Sequence, residues 1–143
     1  MFIGEYQHSL DNKNRLSLPA KFKAELKSGA VVTRGLDNCL FVFTKNAWQK
    51  LAEKIINQPL GKADARGFSR IMLAGAMDVK LDNLGRILLP DYLKKYASLN
   101  KNVIVAGLYN RLEIWDEDNW RRYQAQMERQ ADKLAEAMGE LGV

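Results

Sequence analysis

The sequence contains a single cysteine, Cys39, and a single histidine, His8, among its 143 residues. One cysteine excludes an intramolecular disulfide, and the two residues are too few for a zinc site of known spacing. No apolar run approaches the roughly 18 residues that cross a bilayer, and the N-terminus turns polar too early for a secretory signal. We therefore expect a soluble protein of the reducing cytoplasm, without a metal and without a membrane partner.

Groups for enzyme chemistry are equally scarce. Cys39 lies beside the apolar run 40–42, where a neutral buried thiol is the ordinary outcome, so a reactive pair with His8 is disfavoured. Gly61-Lys62 lacks the rest of a phosphate-binding loop, and no GxGxxG opens a helix. The adjacent carboxylates at 116–118 fit the start of a helix better than a metal site. We expect no enzyme activity, no cofactor and no small-molecule substrate.

The chain does have a modest excess of positive charge, and this excess is unevenly placed. It carries 22 Lys and Arg against 17 Asp and Glu, a formal net charge of +5. Residues 1–71 hold 12 basic and 6 acidic side chains, whereas residues 72–143 hold 10 and 11. This balance permits binding to a polyanion without requiring it, and it favours the first half as the binding surface.

The sequence also repeats itself once. Residues 8–19, HSLDNKNRLSLP, align with residues 79–90, VKLDNLGRILLP, at an offset of 71. A second set of matches recurs at an offset of 72, at Gly35, Leu36, Asn38, Leu40 and Trp48. Two copies of one structural unit are therefore present.

Each copy is predicted to run strand, turn, strand, helix, strand, turn, strand. Alternating apolar residues predict a β-hairpin at the start of each copy, because Asn14 and Gly85 hold equivalent turn positions and both tolerate a left-handed backbone. Pro19 and Pro90 suit the first turn of the short helix that follows. The later strand pairs are predicted over 30–33 with 40–43, and over 103–105 with 112–115.

Further helices are expected after each copy. Thr44 can cap a helix that ends near the linker candidate 57–61, and a short helix is predicted over 63–71. The segment 117–140 has apolar residues at helical spacing and predicts one long amphipathic helix. We expect its apolar stripe to pack on the protein's own sheet, with a subunit contact as the alternative.

The turns carry the sharpest chemical feature, an Asp-x-x-x-Arg motif that occurs twice. Asp11 precedes Arg15, with Lys13 between them, and Asp82 precedes Arg86. Each aspartate can accept hydrogen bonds from turn amides, and an arginine on a rigid tip can bind a guanine edge or phosphate oxygens. The alternative is that each arginine only pairs with its own aspartate and fixes the turn. Because the motif recurs within a repeat, on a basic chain, binding is favoured over a purely structural role.

Lysines follow both turns, and they too allow two interpretations. They lie at positions 21, 23 and 27 after the first turn and at 94 and 95 after the second. Lysines on a helix usually form a solvated face. As phosphate contacts they would add salt-dependent affinity without reading sequence.

Taken together, these motifs resemble the MraZ family of bacterial transcriptional regulators. The opening MFIGEY, the stretches LDNKNRLSLP and LDNLGRILLP, and TRGLDNCL at 33–40 occur in the family's order, and the resemblance covers nearly the full chain. It implies an α+β fold in which two pseudo-equivalent SpoVT-AbrB type units interlock as a swapped-hairpin barrel with added helices. The corresponding boundaries are 1–57 for the first unit with its helix, 58–75 for the linker, and 76–143 for the second unit.

The resemblance also implies a function. Such a protein would form a homo-oligomeric ring in the cytoplasm, associate with the nucleoid, and bind direct repeats of double-stranded promoter DNA in the division and cell-wall gene cluster. By position, the turn-organising residues are Asp11 and Asp82, and the DNA-contacting residues are Lys13, Asn14, Arg15, Gly85 and Arg86. Asn14 stands where the family pattern usually has glycine.

Two other functions stay open. AbrB-type units also occur in antitoxins that embrace a partner protein, so the chain could be a protein-interaction module. A structural nucleoid protein would instead bind any duplex by charge alone, with similar affinity for scrambled DNA.

Overall fold

Eight strands, six α-helices and one π-helix make up the chain in a computed structural model that describes residues 1–143. The strands are β1 (Phe2–Ser9), β2 (Arg15–Ser17), β3 (Ala30–Arg34), β4 (Leu40–Thr44), β5 (Met77–Val79), β6 (Arg86–Leu88), β7 (Asn102–Tyr109) and β8 (Leu112–Asp116). The helices are α1 (Ala20–Leu26), α2 (Lys45–Ile56), α3 (Ala63–Ser69), α4 (Asp91–Tyr96), α5 (Glu117–Arg129) and α6 (Ala131–Gly139), with the π-helix over Arg70–Ala74. The α+β class is confirmed.

The two copies of the repeat exchange strands. Six strands form one antiparallel sheet in the order β1-β7-β8-β4-β3-β5, and β2 pairs with β6 in a separate two-stranded ribbon. Within the sheet, β1 of the first copy pairs along its whole length with β7 of the second, and β5 of the second pairs with β3 of the first. Each copy therefore completes the other's sheet. The ladder ends at β1 and β5, so its hydrogen bonds do not close into a barrel.

The strand pairing predicted for the two hairpins is wrong, although their turns form. β1 and β2 form no ladder, and only an isolated bridge joins Leu10, which follows β1, to Leu16. Because β2 has three residues and β1 has eight, β2 could satisfy only part of the backbone of β1, whereas β7 matches it residue for residue. The later strand pairs, β3 with β4 and β7 with β8, are confirmed.

Alternation along the central strands divides the core into two layers. Val32 and Val42 point toward the β2–β6 ribbon, α1 and α4, together with the fully buried Leu16 and Ile87 of that ribbon. Neighbouring side chains on the same strands, such as Phe41, point the other way, toward α2 and α5. The ribbon and its two short helices thus cover one face of the sheet, and the longer helices cover the other.

The predicted helix starts are largely confirmed. The side chains of Thr44 and Asp116 cap α2 and α5, each accepting a hydrogen bond from the amide three residues on, at 3.1 and 3.2 Å. Pro19 and Pro90 lie one residue earlier than predicted, at the N-caps of α1 and α4. The helix expected over 63–71 is α3, which continues as the π-helix. None of the helices combines the length and the apolar character needed to cross a membrane.

The single C-terminal helix predicted over 117–140 is wrong, because it breaks at Gln130. This residue leaves helical geometry at φ −107° and ψ 10°, and its N–H closes α5 by donating to carbonyls of the last turn. Helix α5 packs as expected, with the rings of Trp120 and Tyr123 centred 5.3 and 5.0 Å from that of Trp115.

Helix α6 does not pack on the sheet. Every side chain from residue 131 onward is exposed, including Leu134 and Met138, which lie on one face of the helix, and Leu141, which follows it. The predicted packing on the protein's own sheet therefore holds for α5 and fails for α6, which begins beyond the break and contributes no buried residue to either core layer.

Candidate nucleic-acid interface

The first Asp-x-x-x-Arg turn is held together by its own aspartate. Asp11 Oδ1 accepts hydrogen bonds from the backbone N–H groups of Lys13 at 2.9 Å and Arg15 at 2.8 Å. The backbone closes the turn as well, since the Asp11 N–H donates to the Arg15 carbonyl at 3.0 Å. Asn14 takes the predicted left-handed conformation, with φ 59°. The turn is thus a rigid loop whose tip is formed by residues 12–14.

The second turn repeats this arrangement. Asp82 Oδ1 accepts from the N–H groups of Leu84 and Arg86, both at 2.9 Å, and the Asp82 N–H donates to the Arg86 carbonyl at 2.9 Å. Gly85 has φ 73° at the position of Asn14. Two loops of one geometry are therefore built from the two copies, as the aligned sequences predict.

Each arginine is fixed by one nitrogen and left free at the others. Arg15 Nε donates to Asp11 Oδ2 at 2.7 Å, and Arg86 Nε donates to Asp82 Oδ2 at 2.8 Å. The terminal amino groups of both guanidinium groups donate no hydrogen bond within the chain. Both interpretations of the motif are thus compatible: the pair fixes the turn, and the fork of donors that binds a guanine edge or a phosphate stays available.

Each turn is hydrogen-bonded to the end of the other copy's short strand. The Leu18 N–H donates to the Gly85 carbonyl at 3.2 Å, and the Leu89 N–H donates to the Asn14 carbonyl at 2.9 Å. These bonds continue the β2–β6 ribbon, in which Leu16 lies opposite Ile87. Across the ribbon, a terminal nitrogen of Arg86 comes within 3.9 Å of Asp11. The exchange of strands between the copies therefore brings both arginines to one surface.

The turns should respond to acid in a defined direction. Hydrogen bonds from backbone N–H groups, that of the paired arginine foremost, lower the pKa of Asp11 and of Asp82 below its ordinary value. Because the folded pKa is the lower one, these bonds stabilise the fold above the ordinary aspartate pKa of about 3.9 and are lost as pH falls through the folded pKa. We expect carboxyl-carbon NMR titration to give both groups midpoints below about 3.9.

The Asp11→Asn variant is the control for this titration, since it removes one of the two transitions and identifies the other. Midpoints at or above the ordinary aspartate value would contradict the turn geometry.

The chain matches known proteins over its full length. A family model described as "MraZ protein, putative antitoxin-like" matches residues 1–71 and again residues 72–140. The chain belongs to the MraZ family. Proteins named "Transcriptional regulator MraZ" from Natranaerobius thermophilus and Caldicellulosiruptor saccharolyticus are similar to it. The first is 51% identical over 136 residues, 95% of each chain, and the second is 46% identical over 143 residues, 100% of each.

The two MraZ matches agree with the internal repeat, since each contains one Asp-x-x-x-Arg turn. The finer boundaries given above, with a linker over 58–75, stay a prediction.

Asn14, which stands at the position equivalent to Gly85, is held by two side chains of the second MraZ unit. The Asn14 side chain donates to Asp91 Oδ1 at 2.7 Å and accepts from Lys94 Nζ at 3.2 Å. At the second turn Gly85 has no side chain, and the residue equivalent to Asp91 is Ala20. The copy with a polar side chain at the turn therefore has a polar partner for it, Asp91, and the copy with glycine there has none, because Ala20 stands in its place. Asp91 was not singled out from the sequence. The signal that could have found it is that the two copies differ at both of these positions, 14 against 85 and 91 against 20.

The lysines at equivalent positions in the two MraZ units reach across to the opposite turn. Lys94 Nζ bonds Asn14, and Lys23 Nζ donates to the Leu84 carbonyl at 3.4 Å. Lys23 also covers Gly85, where an added Cβ would lie 2.3 Å from its Cε. These two lysines are thus part of the turn surface rather than a solvated helix face, and they add positive charge beside both tips.

Elsewhere the geometry favours structural roles. Cys39 is fully buried, its Sγ donates to the Leu36 carbonyl at 3.1 Å, and burial raises the pKa of this thiol far above its ordinary value. A neutral thiol is a poor nucleophile. His8 lies on β1 opposite Val103.

Proposed function

We propose that this protein is a sequence-specific DNA-binding transcriptional regulator, and not an enzyme. The observation that carries the proposal is the meeting of two Asp-anchored arginine turns on one surface, with Lys23 and Lys94 beside them. Aspartate fixes each Nε, so the remaining guanidinium donors are oriented before any ligand binds. The name of the relatives, transcriptional regulator, supports the same function.

The residues proposed to contact DNA are those of the turns. Arg15 and Arg86 read base edges or hold phosphates, Lys13 adds a phosphate contact, and Asn14 and Gly85 set the loop geometry. Asp11 and Asp82 organise the turns without touching DNA, because a carboxylate facing a phosphate is repelled.

The DNA targets and the assembly are a further part of the proposal. We propose that the DNA is a set of direct repeats in the promoter of the division and cell-wall gene cluster, bound at the nucleoid in the cytoplasm. The exchange of β1 and β5 between the copies supports the swapped-hairpin arrangement, with units at 1–57 and 76–143. The unpacked apolar face of α6 supports a homo-oligomer, and a ring would present many turns to repeated sites at once.

One other function has an observation of its own. The matching family model is described as antitoxin-like, which favours a protein partner held by the same surface. A protein that acts in this way would copurify from its native host with a stoichiometric partner. A nucleoid protein that binds by charge alone is less favoured, because the fixed arginine geometry is not needed for it.

The deciding experiment is a binding titration on the DNA upstream of this protein's own gene, against a scrambled duplex of equal length and composition. At near-physiological salt we expect a preference of about 1,000-fold or more, the lower range for specific binders. Equal affinity for the two duplexes would establish charge-driven binding and contradict the proposal. Failure to bind either duplex would favour the protein-partner function.

A further inference from the structure

The two turns differ in what they present at the tip. Lys13 in the first turn is replaced at the equivalent position of the second by Leu84, which is 66% exposed. An exposed leucine alone is ordinary on a protein surface. Leu84 differs from an ordinary exposed leucine because its backbone is fixed by hydrogen bonds and because positive charges surround its side chain.

The backbone of Leu84 is fixed on both sides. Its N–H donates to Asp82 at 2.9 Å, and its carbonyl accepts from Lys23 Nζ at 3.4 Å. The next residue, Gly85, is buried beneath the Lys23 side chain. The leucine side chain therefore stands at the tip of a rigid loop and is largely uncovered.

Positive charge surrounds this apolar group. Lys23 lies on one side of it and Arg86, with free terminal donors, on the other. A polyanion drawn to these cations meets Leu84 at the same time. If the turns contact DNA as proposed above, Leu84 must be desolvated against the DNA too, which is favourable only where the DNA offers an apolar group.

The width of the turn surface selects the groove. The paired β2 and β6 strands form a two-stranded ribbon with a turn at each side. Strands spaced about 4.8 Å apart, with their side chains, are too wide for the minor groove, at about 6 Å, but fit the major groove, at about 12 Å. The apolar group that the major groove offers is the 5-methyl group of thymine.

We propose that Leu84 reads thymine through its 5-methyl group, while Lys13 at the equivalent position of the first turn contacts phosphate. This inference rests on the proposed function and adds a division of labour to it. The two turns of one chain then prefer different bases, although their backbones match.

The test replaces thymines by deoxyuridine, which pairs identically but lacks the methyl group. The DNA is the duplex from upstream of this protein's own gene, substituted at one thymine at a time. We expect one or a few positions at which the wild-type protein binds about fourfold more weakly per lost methyl group. Leu84→Ala should bind the thymine and deoxyuridine duplexes equally at those positions, and Leu84→Lys should do the same with a steeper dependence on salt.

Leu60→Ala is the matched control, since Leu60 is 83% exposed and lies between α2 and α3, away from the turns. It should keep the wild-type sensitivity to deoxyuridine. A wild-type protein that prefers its own upstream DNA yet ignores every deoxyuridine would overturn the role of Leu84 and leave the proposed function standing. Sensitivity retained by Leu84→Ala would assign the methyl contact to another residue and overturn it as well. If the wild-type protein shows no preference for the upstream DNA, both the proposed function and the role of Leu84 are contradicted.

Discussion

Replacing both turn arginines, as Arg15→Ala with Arg86→Ala, is expected to weaken binding to the upstream DNA by about 30-fold or more, since each bidentate contact contributes about 1–3 kcal/mol. The reason lies in the geometry: each guanidinium group is held by its aspartate through Nε, so the donors that remain free are already oriented. Binding to a scrambled duplex should fall far less, because nonspecific affinity depends on total charge. Fluorescence anisotropy titrations of the two duplexes measure both quantities.

Two matched variants separate geometry from charge. Arg70→Ala with Arg129→Ala also removes two positive charges, from exposed positions on the π-helix and α5, and should leave the preference intact. Arg15→Lys with Arg86→Lys keeps the charges but not the fork of donors. This variant should therefore keep its affinity for the scrambled duplex and lose the preference for the upstream DNA. If the alanine variant, with its assembly unchanged, binds the upstream DNA as tightly as wild type, the turns do not read DNA.

Introducing charge on the apolar face of α6, as Leu134→Glu with Met138→Glu, is expected to disperse the proposed homo-oligomer into smaller species. Both side chains are more than 40% exposed in the single chain, and a nine-residue helix that buries none of its residues is marginal in water, so its stability depends on being covered. Affinity for DNA carrying several repeats should fall by about 100-fold or more as avidity is lost, while affinity for a single repeat stays unchanged. Sedimentation analysis measures the first effect and titrations the second.

Lys133→Glu is the control for this variant. It changes the net charge by the same amount, on the same helix, but outside the apolar face formed by Leu134 and Met138. It should assemble normally. An unchanged assembly in the Leu134→Glu, Met138→Glu protein would place the subunit contact on another surface.

Local features of this fold are predictable from the sequence because their causes are local. A left-handed residue at Asn14 or Gly85 follows from the turn chemistry, and a helix start at Thr44 or Asp116 follows from a side chain that accepts a nearby amide. The two turns of the candidate interface belong to this class. Their residues and internal hydrogen bonds follow from the motif.

Strand exchange is not predictable in the same way. The apolar alternation of β1 is satisfied equally by pairing with β2 or with β7, and the choice depends on strand lengths and on a core built from both copies. The bond from Asn14 to Asp91 joins residues 77 positions apart, so no local pattern reports it. The end of α5 at Gln130 carries no glycine or proline signal either. These features arise from contacts that exist only in the folded chain.

The pairing of β1 with β7 has a consequence for folding during synthesis on the ribosome. Its partner strands lie roughly 100 residues apart, which corresponds to about 5–20 s of synthesis at common translation rates. During that interval the nascent first unit carries β1 without its partner strand, and for roughly the first half of it β3 also lacks β5. Two such nascent units on neighbouring ribosomes offer each other the same edges. Rapid synthesis of the second unit therefore favours pairing of β1 and β3 with strands of their own chain over pairing with a neighbouring chain.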